Sequence, residues 1–466
     1  MEYQPIVTNA GSAKSGRLVR APEGFLNTAA MQASGAAESE KRRNFLRDAL
    51  RSARGAGAAA IAASAGAFGM AAHAQSVAQG DENILKLPAH TKGLGKPVAA
   101  TGYGSPSQHE GNLQRRESPG LTRVSAASVS FTPLQGLFGI ITPNGLHFER
   151  HHQGWWDIEP SKHRLMINGL VKNPMVFTMD DLMRLPSVSR MHFIECGANT
   201  GMEWGNVAVP TVQYTHGMLS CCEYTGVLLS TLLGLAGYDK KLGKYILVEG
   251  ADGSSMTRTI SMDRALDDCM VAYAMNGEML RPENGYPLRI VAPGLQGVSW
   301  VKYLRRIEVG DMPWATKDET LHYIDLMPDG THRQYTSIQE CKSVITSPSG
   351  GQTLLDRGYY NISGLAWSGR GKIKRVDIST DGGNTWQAAR LEGPILPKCL
   401  TRFNAPWVWK GNPALLQSRA VDDTGYVQPK LKQLRQVRGV RSIYHNNAIQ
   451  TWKVSDDGEV SNVQIA

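Results

Sequence analysis

Apolar and polar residues alternate differently along the chain, and the changes in pattern divide it into regions. Between residues 131 and 340, apolar runs of strand length are interspersed with short helical patterns, which indicates a mixed α+β region. Residues 178–186 predict a short capped helix ended by a proline, and residues 227–234 predict a short amphipathic helix. Strands are predicted at residues 164–169, 191–195, 245–248 and 287–291.

Beyond about residue 343, short strand-like runs separated by turn residues replace the mixed pattern. A turn cluster lies at residues 347–351, and Asp381-Gly-Gly-Asn384 predicts a hairpin turn. The predicted strands are residues 360–363, 373–379, 386–390 and 417–421. Because no helical pattern interrupts these strands, the region predicts a β-sandwich. The motif at residues 379–386 resembles a β-propeller repeat, but its single copy excludes a propeller.

The N-terminal region lacks this periodicity. Residues 75–130 are rich in Gly, Ser, Pro and Gln and predict an extended arm or linker. Consecutive arginines at 42–43 precede an uncharged run rich in Ala and Gly, which ends in the cleavage signal Ala-His-Ala at 72–74. Residues 1–74 therefore resemble an N-terminal extension with a twin-arginine signal peptide. The alternative is a basic helix end followed by an Ala-rich helix or linker.

A twin-arginine signal carries proteins that are already folded, often with a cofactor inserted. The leader thus predicts a periplasmic protein that holds a cofactor. Translation could start at Met1 or at Met31, because residues 1–30 add nothing that such a signal needs.

Composition narrows the class of protein. The length of 466 residues suggests two or three domains, and 41% hydrophobic residues are enough for a packed core. No apolar stretch is long enough for a membrane-spanning helix. The formal net charge is +9, but no Lys/Arg block occurs, so a nucleic-acid surface is not indicated and an acidic protein partner stays open.

The cysteines do not form a known framework. Six occur, without disulfide-like spacing or a C-x-x-C motif, which excludes zinc-ribbon, iron–sulfur and thioredoxin sites. The absence of C-x-x-C-H means that this chain attaches no c-type haem, so a redox reaction would need a separate electron carrier. Cys221 and Cys222 are adjacent and are predicted to be buried apolar residues.

Two segments could carry chemistry. Cys196 ends a predicted strand and is followed by Gly and small residues, where backbone can approach a ligand; a thiolate is a soft metal ligand, and the alternative is an inert buried cysteine. The cluster His147-Phe-Glu-Arg-His-His152 could bind zinc if helical, form a solvated loop, or bind an anion or cofactor through Arg150 and His152. No phosphate-binding loop occurs.

A third segment is more specific. It contains Ala-Tyr-Ala-Met-Asn-Gly at 272–277, Asn-Gly-Tyr-Pro-Leu-Arg at 284–289, Ala-Pro-Gly-Leu-Gln-Gly at 292–297 and Val-Lys-Tyr-Leu at 301–304. This series resembles the pterin-binding core of the sulfite oxidase family of molybdenum enzymes, and the resemblance covers about residues 130–466. Within that family, the sulfane dehydrogenase branch of bacterial sulfur oxidation is matched at residues 148–152, 195–204, 400–403, 420–426 and 443–447.

The resemblance implies a fold and partners. Residues 131–340 would form an α+β, sulfite-oxidase-type molybdopterin-binding catalytic domain, and residues 341–466 an all-β immunoglobulin-like dimerisation domain. It implies a molybdenum–molybdopterin cofactor, in the plain form without a nucleotide, and no haem in this chain. The expected partners are a c-type cytochrome subunit as electron acceptor, a sulfur-carrier protein as substrate, and a second copy of the chain within a heterocomplex.

The resemblance also assigns roles to residues. Cys196 matches the cysteine whose thiolate ligates molybdenum. Catalytic roles are implied for Arg150, Tyr323 and Arg402. Cofactor-binding roles are implied for His152, Ser220, Cys221, Arg289 and Lys302. A guanidinium can hold an oxyanion at two points, which suits arginine at positions 150 and 402.

Two positions depart from the family pattern. Sulfite oxidases carry an arginine five residues after the ligating cysteine, where this chain has Gly201, and a histidine where it has Asn284. Loss of the arginine removes charge and widens the pocket, which favours sulfane sulfur on a carrier protein over free sulfite as the substrate. Three alternatives stay open: a sulfite dehydrogenase, a reductase of oxidised methionine on the same fold, and a cofactor-free periplasmic binding or adhesion protein.

Overall fold

The computed structural model describes residues 17–18, 89–94, 97, 103–118, 125–205, 208–254, 256–327, 329–333, 338–438 and 444–465. The export signal predicted within residues 1–74, and the choice between Met1 and Met31, lie outside the described residues. Residues 109–357 and 361–466 belong to one compact unit. The described residues of the other unit include the short 3-10 turn Ala89–Thr91.

Two sheets make up the first part of the compact unit. One follows the order Thr257–Ser261, Tyr245–Gly250, Leu304–Gly310, Leu165–Gly169 and Met175–Phe177. The other follows the order Glu278–Met279, Met270–Met275, Leu219–Leu228 and Val188–Glu195, with Arg289–Val291 also paired to Met270–Met275. The α-helices among these strands are Met179–Arg184, Val212–His216, Leu229–Ala236 and Met262–Asp267. Apolar side chains from both sheets and from the helices Met179–Arg184, Leu229–Ala236 and Met262–Asp267 share one buried core.

The predicted helix at residues 178–186 is present as Met179–Arg184. Thr178 Oγ1 accepts a hydrogen bond from Asp181 N at 3.1 Å, and Asp181 Oδ2 accepts one from Thr178 N at 2.9 Å, so each residue satisfies a backbone donor of the other. The helix ends before Leu185, which is extended because the ring of a following proline disfavours the helical conformation.

The second predicted helix begins later than the apolar pattern indicated. Val227 pairs with Val271 and belongs to the strand Leu219–Leu228, so the helix is Leu229–Ala236. It ends at Gly237, whose φ of 65° is the left-handed conformation that glycine adopts at little cost. A continuous apolar run does not reveal where a buried strand becomes a buried helix.

A small antiparallel sheet reaches back into the segment predicted as an arm. Its strands are Arg116–Glu117, Val129–Phe131 and Glu149–Arg150. Val129 pairs directly with Arg150, so this sheet fixes the backbone of a predicted site residue. The described residues 109–118 and 125–130 therefore belong to the compact unit.

The second part consists of two further sheets that pack as a sandwich. One follows the order Lys342–Ser347, Gly358–Trp367, Thr401–Trp409 and Arg390–Leu391, and the other the order Gln387–Ala388, Ile373–Ser379, Ala414–Asp422, Thr451–Val454 and Val460–Val463. The hydroxyls of Ser343 and Ser418 join the two sheets at 2.9 Å. The fold class, an α+β part followed by an immunoglobulin-like sandwich, is confirmed.

One element of the second part was not predicted. The helix Leu431–Arg438 lies between strands of the sandwich, although no helix was expected there. Its apolar face packs on Trp204, with Leu434 and Leu431 in contact with that ring. The sequence pattern does not predict this helix because it is short, and because Trp204, which covers its apolar face, lies more than two hundred residues earlier in the sequence.

Minor elements complete the secondary structure of the described residues. The 3-10 turns are Gln108–Glu110, Ser125–Ala127, Leu134–Gly136, Asn144–Leu146, Gly201–Gly205, Pro282–Asn284 and Gly297–Ser299, and Asp318–His322 is a π-helical turn. Two-residue strands pair as Asp325–Leu326 with His332–Arg333, and as Arg17–Leu18 with Thr353–Leu354. Among the helices of these described segments, none has the length and apolar character needed to cross a membrane.

The capped helix gives a direct test of the local assignment. We expect Thr178→Ala to lower the free energy of unfolding by about 1 kcal/mol, because an N3 backbone donor loses its partner. Met183→Ala, at an exposed position of the same helix, is the control and should change stability little. Equal losses for the two variants in chemical denaturation would contradict the cap.

Candidate functional site

One cavity gathers most of the predicted site residues. It has an empty volume of about 760 Å³, counting the space open to solvent. Residues from six separate segments line it, and the predicted ones among them are Arg150, His152, Cys196, Arg289, Lys302 and Tyr323. The Cys196 side lies at the end of the strand Val188–Glu195. The cavity therefore forms where the small sheet, the second large sheet and the loop before Leu304–Gly310 meet.

Cys196 is fixed through its backbone. Its N–H donates to Met218 O at 3.0 Å, and its carbonyl accepts from Asn199 N at 2.9 Å. The next residue, Gly197, packs closely, because a Cβ there would lie 2.4 Å from Gln296 Oε1 and 3.2 Å from the Tyr323 ring, so a larger residue would displace the Gln296 side chain. Burial raises the pKa of the Cys196 thiol, opposed by a backbone hydrogen bond at Ala198 and by Arg150. A bound cation would replace the thiol proton and make the thiolate the stable form.

Two cations, the buried Arg289 and the half-buried Lys302, also line the cavity. Lys302 Nζ donates to Glu283 O at 3.1 Å and lies 3.0 Å from His151 Nδ1. Burial, and then the charge of Arg289, lowers the pKa of Lys302 to about 7. Arg289 is almost fully buried and donates to Asn284 O at 3.0 Å and to Trp300 O at 3.2 Å. An anionic ligand would compensate these two charges.

The histidines near these cations do not add charge at neutral pH. Burial first, and neighbouring cations second, lower the pKa of His147 and of His151 to about 3. The same causes lower the pKa of His152 to about 4. The zinc alternative required a helix, but His147 and His151 flank the strand Glu149–Arg150. No group of three His, Cys, Asp or Glu side chains in the described ranges is arranged to hold a metal ion.

Tyr323 completes the side of the cavity near Cys196. Its ring stacks on Tyr444 with centroids 4.2 Å apart, and the guanidinium carbon of Arg258 lies 5.2 Å from its centre. Burial raises the pKa of Tyr323, and the nearby Cys196 thiol adds to the rise. The phenol therefore stays protonated and can donate a hydrogen bond into the cavity.

Buried polar atoms test whether a cofactor fits. Arg289 Nε and Asn284 Oδ1 are buried without a hydrogen-bond partner among the described residues, and both residues line the cavity. Native proteins rarely leave such atoms unsatisfied, so a ligand with polar atoms is expected beside them. With the buried thiol and the buried cations, these atoms fit an anionic, metal-bearing cofactor ligated by sulfur.

The structure does not bring three predicted residues to the cavity lining. Ser220 Oγ accepts from Phe148 N at 3.2 Å, so it fixes the chain next to the cavity. The backbone N–H and carbonyl of Cys221 bond to Thr142 and are not available to line a cofactor. Arg402 donates to Gly139 O at 2.7 Å, to Leu137 O at 3.1 Å and to Ser363 Oγ at 3.2 Å. These bonds hold its guanidinium outside the cavity lining.

Sequence reasoning missed several residues of the site. Tyr303 lines the cavity with φ 58°, and its hydroxyl donates to Pro282 O at 2.9 Å. Tyr444 reaches Tyr323 from the second part of the chain. Tyr303 lies inside the Val-Lys-Tyr-Leu motif, so its position was a usable signal, whereas nothing local to Tyr444 indicates its stacking partner.

Comparisons with known proteins agree with this geometry. The sequence profile of the oxidoreductase molybdopterin binding domain matches residues 152–317, and that of the Mo-co oxidoreductase dimerisation domain matches residues 333–452. Mitochondrial sulfite oxidase of Mus musculus is 31% identical over 342 residues, which are 65% of this chain and 60% of that protein. The NADH nitrate reductase of Solanum lycopersicum is 32% identical over 306 residues, 58% of this chain and 33% of that protein.

A solved structure is also similar. The crystal structure of the sulfane dehydrogenase SoxCD from Paracoccus pantotrophus contains a chain that is 48% identical, with a TM-score of 0.81. The match covers 83% of this chain and all of that chain. The match to the mouse sulfite oxidase, in contrast, spans less than two thirds of that longer protein.

The buried histidines predict a loss of stability in acid. The unfolded chain binds a proton at His147 below about pH 6.5, whereas the folded chain binds one only near pH 3, so stability falls as pH decreases between these values. We expect His147→Gln to remove part of this dependence, on the order of 3 kcal/mol at pH 4. The exposed His90→Gln is the control. Parallel stability–pH curves for wild type and His147→Gln would contradict the prediction.

Proposed function

The chain belongs to the sulfite oxidase family of molybdenum–molybdopterin oxidoreductases, and from this premise we propose that it oxidises sulfane sulfur bound to a carrier protein, as a step of thiosulfate oxidation. The carrying observation is the 48% identity and full coverage of a chain of the sulfane dehydrogenase SoxCD, together with a cavity that holds Cys196 among buried cations. Free sulfite is the second candidate, because sulfite oxidases are 31% identical.

Each predicted site residue that lines the cavity has a proposed task. Cys196 ligates the metal, and Arg289, Lys302 and His152 hold the anionic part of the pterin. When bound, the cofactor supplies oxygen-atom transfer and accepts two electrons. Arg150 and Tyr323 stand beside Cys196 and orient the sulfur substrate, the first through its charge and the second as a neutral hydrogen-bond donor. For Arg402 the catalytic role stays a prediction that the position of its guanidinium does not support.

Surface features favour a protein-borne substrate. The side chains of Trp155 and Trp156 are 56% and 55% exposed. The backbone N–H of Trp156 donates to the hydroxyl of Tyr303, a residue that lines the cavity. Adjacent exposed tryptophans at a cavity mouth are typical of protein contacts, which a small anion does not need. Gly201, five residues after Cys196, adds no charge, and it is not among the residues that line the cavity.

The partners and the location complete the proposal. A c-type cytochrome subunit accepts the electrons, and two copies of the chain associate through the sandwich, supported by the dimerisation-domain match and by the similarity to a chain of SoxCD. We propose export to the periplasm by the twin-arginine route, supported by the segment at 42–74.

Turnover with two substrates tests the proposal. The purified holoenzyme with cytochrome c should oxidise a carrier protein bearing a cysteine-bound sulfane sulfur with a higher kcat/KM than free sulfite. Sulfite turnover that saturates tightly and fast, without activity on the loaded carrier, would overturn the substrate and favour a sulfite dehydrogenase.

An added arginine should move the enzyme towards sulfite. We expect Gly201→Arg to raise kcat/KM for sulfite roughly tenfold, because a hydrogen bond to a charged group contributes about 1.5–3 kcal/mol. Gly201→Gln adds a similar length without charge and is the matched control. An equal gain in both variants, or none in either, would show that charge at this position does not select the substrate.

The tryptophans should act on the carrier alone. The double variant Trp155→Ala/Trp156→Ala is expected to raise KM for the loaded carrier about tenfold, the scale of losing an aromatic anchor from an interface, and to leave KM for sulfite unchanged. Met312→Ala, another exposed apolar residue outside the cavity lining, is the control. Equal effects on both substrates would argue against docking at this surface.

A further inference from the structure

A buried ion pair includes the residue that precedes Cys196 in the chain. Glu195 is the last residue of the strand Val188–Glu195, and Lys342 is the first residue of the sandwich strand Lys342–Ser347. Lys342 Nζ lies 2.8 Å from Glu195 Oε1, and both side chains are at most 3% exposed. The pair thus joins the residue before Cys196 to the second part of the chain across 147 positions of sequence.

Both charged groups of this pair make further hydrogen bonds. Glu195 Oε1 also accepts from Asn199 Nδ2 at 3.0 Å, and Oε2 accepts from the indole N–H of Trp367 at 2.7 Å. Lys342 Nζ donates a second hydrogen bond to Thr200 Oγ1 at 2.9 Å. A buried pair with this many partners is held in one geometry.

Two further bonds from the second part reach the backbone on each side of Cys196. Gln339 Nε2 donates to the carbonyl of Glu195 at 3.0 Å, and His445 N–H donates to the carbonyl of Gly197 at 2.6 Å. Gln339 and His445 also bond to each other at 2.8 Å. The residues on both sides of Cys196 are therefore hydrogen-bonded to groups outside the cofactor-binding part.

We propose that the Glu195–Lys342 ion pair is a positioning device for Cys196: it fixes the end of the strand from the sandwich side and neutralises a carboxylate next to the ligating thiolate. The inference rests on Cys196 ligating the metal, as in the proposed function. The residues act through Cys196 and do not touch the cavity, whose lining includes neither of them.

Removing one charge should matter more than removing both. Lys342→Met leaves a buried carboxylate without its cation one residue from a thiolate, which raises the energy of the thiolate and of the strand end. In Glu195→Gln/Lys342→Met neither charge is present, and the single amide oxygen can keep one of the two other bonds of the carboxylate, that from the Trp367 indole. The double variant is therefore expected to recover the molybdenum content, but not every contact at the strand end.

A second ion pair provides the matched control. Lys398 Nζ lies 2.9 Å from Asp267 Oδ2 and 2.6 Å from Asp268 Oδ2, and it joins the same two parts of the chain. The Lys398 carbonyl accepts from Phe193 N at 3.2 Å, a backbone contact that Lys398→Met leaves in place, whereas among the described residues no hydrogen bond or ion pair joins the Lys398 side chain to Cys196 or to the residues beside it. If the Lys342 pair served only to hold the two parts together, Lys398→Met would have the same consequences as Lys342→Met.

The test is molybdenum per chain, by elemental analysis of protein purified from the native host. Lys342→Met should lose roughly tenfold or more molybdenum, the scale on which a lost partner of a metal-ligating residue weakens metal binding. Lys398→Met should keep the wild-type content. The electron paramagnetic resonance signal of the molybdenum that Lys342→Met retains should be shifted, and Glu195→Gln/Lys342→Met should regain content close to wild type.

The outcomes separate this inference from the proposed function. Wild-type protein without molybdenum would overturn the proposed function itself. Molybdenum-containing wild type with unchanged content and signal in Lys342→Met, or an equal loss in Lys398→Met, would overturn the positioning role alone. If Lys342→Met does not fold, the double variant decides by its electron paramagnetic resonance signal: a signal identical to that of wild type contradicts the positioning role, and a shifted signal at regained molybdenum content supports it.

Discussion

The anchoring of the strand end at Cys196 is the constraint on which the site depends. The strand Val188–Glu195 pairs residue by residue with Leu219–Leu228. Its last residue, Glu195, is hydrogen-bonded by Lys342 and Trp367 of the sandwich and by Gln339, which precedes the sandwich. A thiolate can ligate a metal only where its direction is fixed, because a displacement of about 1 Å at a reacting centre already costs activity. The sandwich is thus part of the site's support as well as a surface for association.

Charge distribution sets the chemistry that this anchored thiol can support. Arg289 and Lys302 line the same cavity as Cys196, and burial keeps the nearby histidines neutral, so the cavity attracts an anion without relying on histidine protonation. Isolated buried charges are unfavourable, and a bound anionic cofactor compensates them. The same cavity is open beside exposed tryptophans, so its mouth and its interior have different characters.

Much of this was predictable where the signal is local. The strand before Cys196, the capped helix at Thr178 and the sandwich follow from periodicity, capping residues and turns. The helix at 227–234 was misplaced at its start, because an apolar run does not mark the change from strand to helix, and Leu431–Arg438 was missed because its covering residue Trp204 is distant in sequence. Ser220, Cys221 and Arg402 were named from a matched motif, but side-chain and backbone directions depend on the partners that the fold supplies.

By itself, the sequence determined the family, the order of the two parts, and the placement of a cysteine at a strand end before a glycine. These features depend on short-range periodicity and on motifs whose residues are close in the chain. The tertiary structure alone decided which cations face Cys196, that Tyr444 stacks on Tyr323, and that Lys342 pairs with Glu195. Such contacts join residues that are far apart in the chain, up to 147 positions for Lys342 and Glu195, and only the packing of the folded elements brings their side chains together.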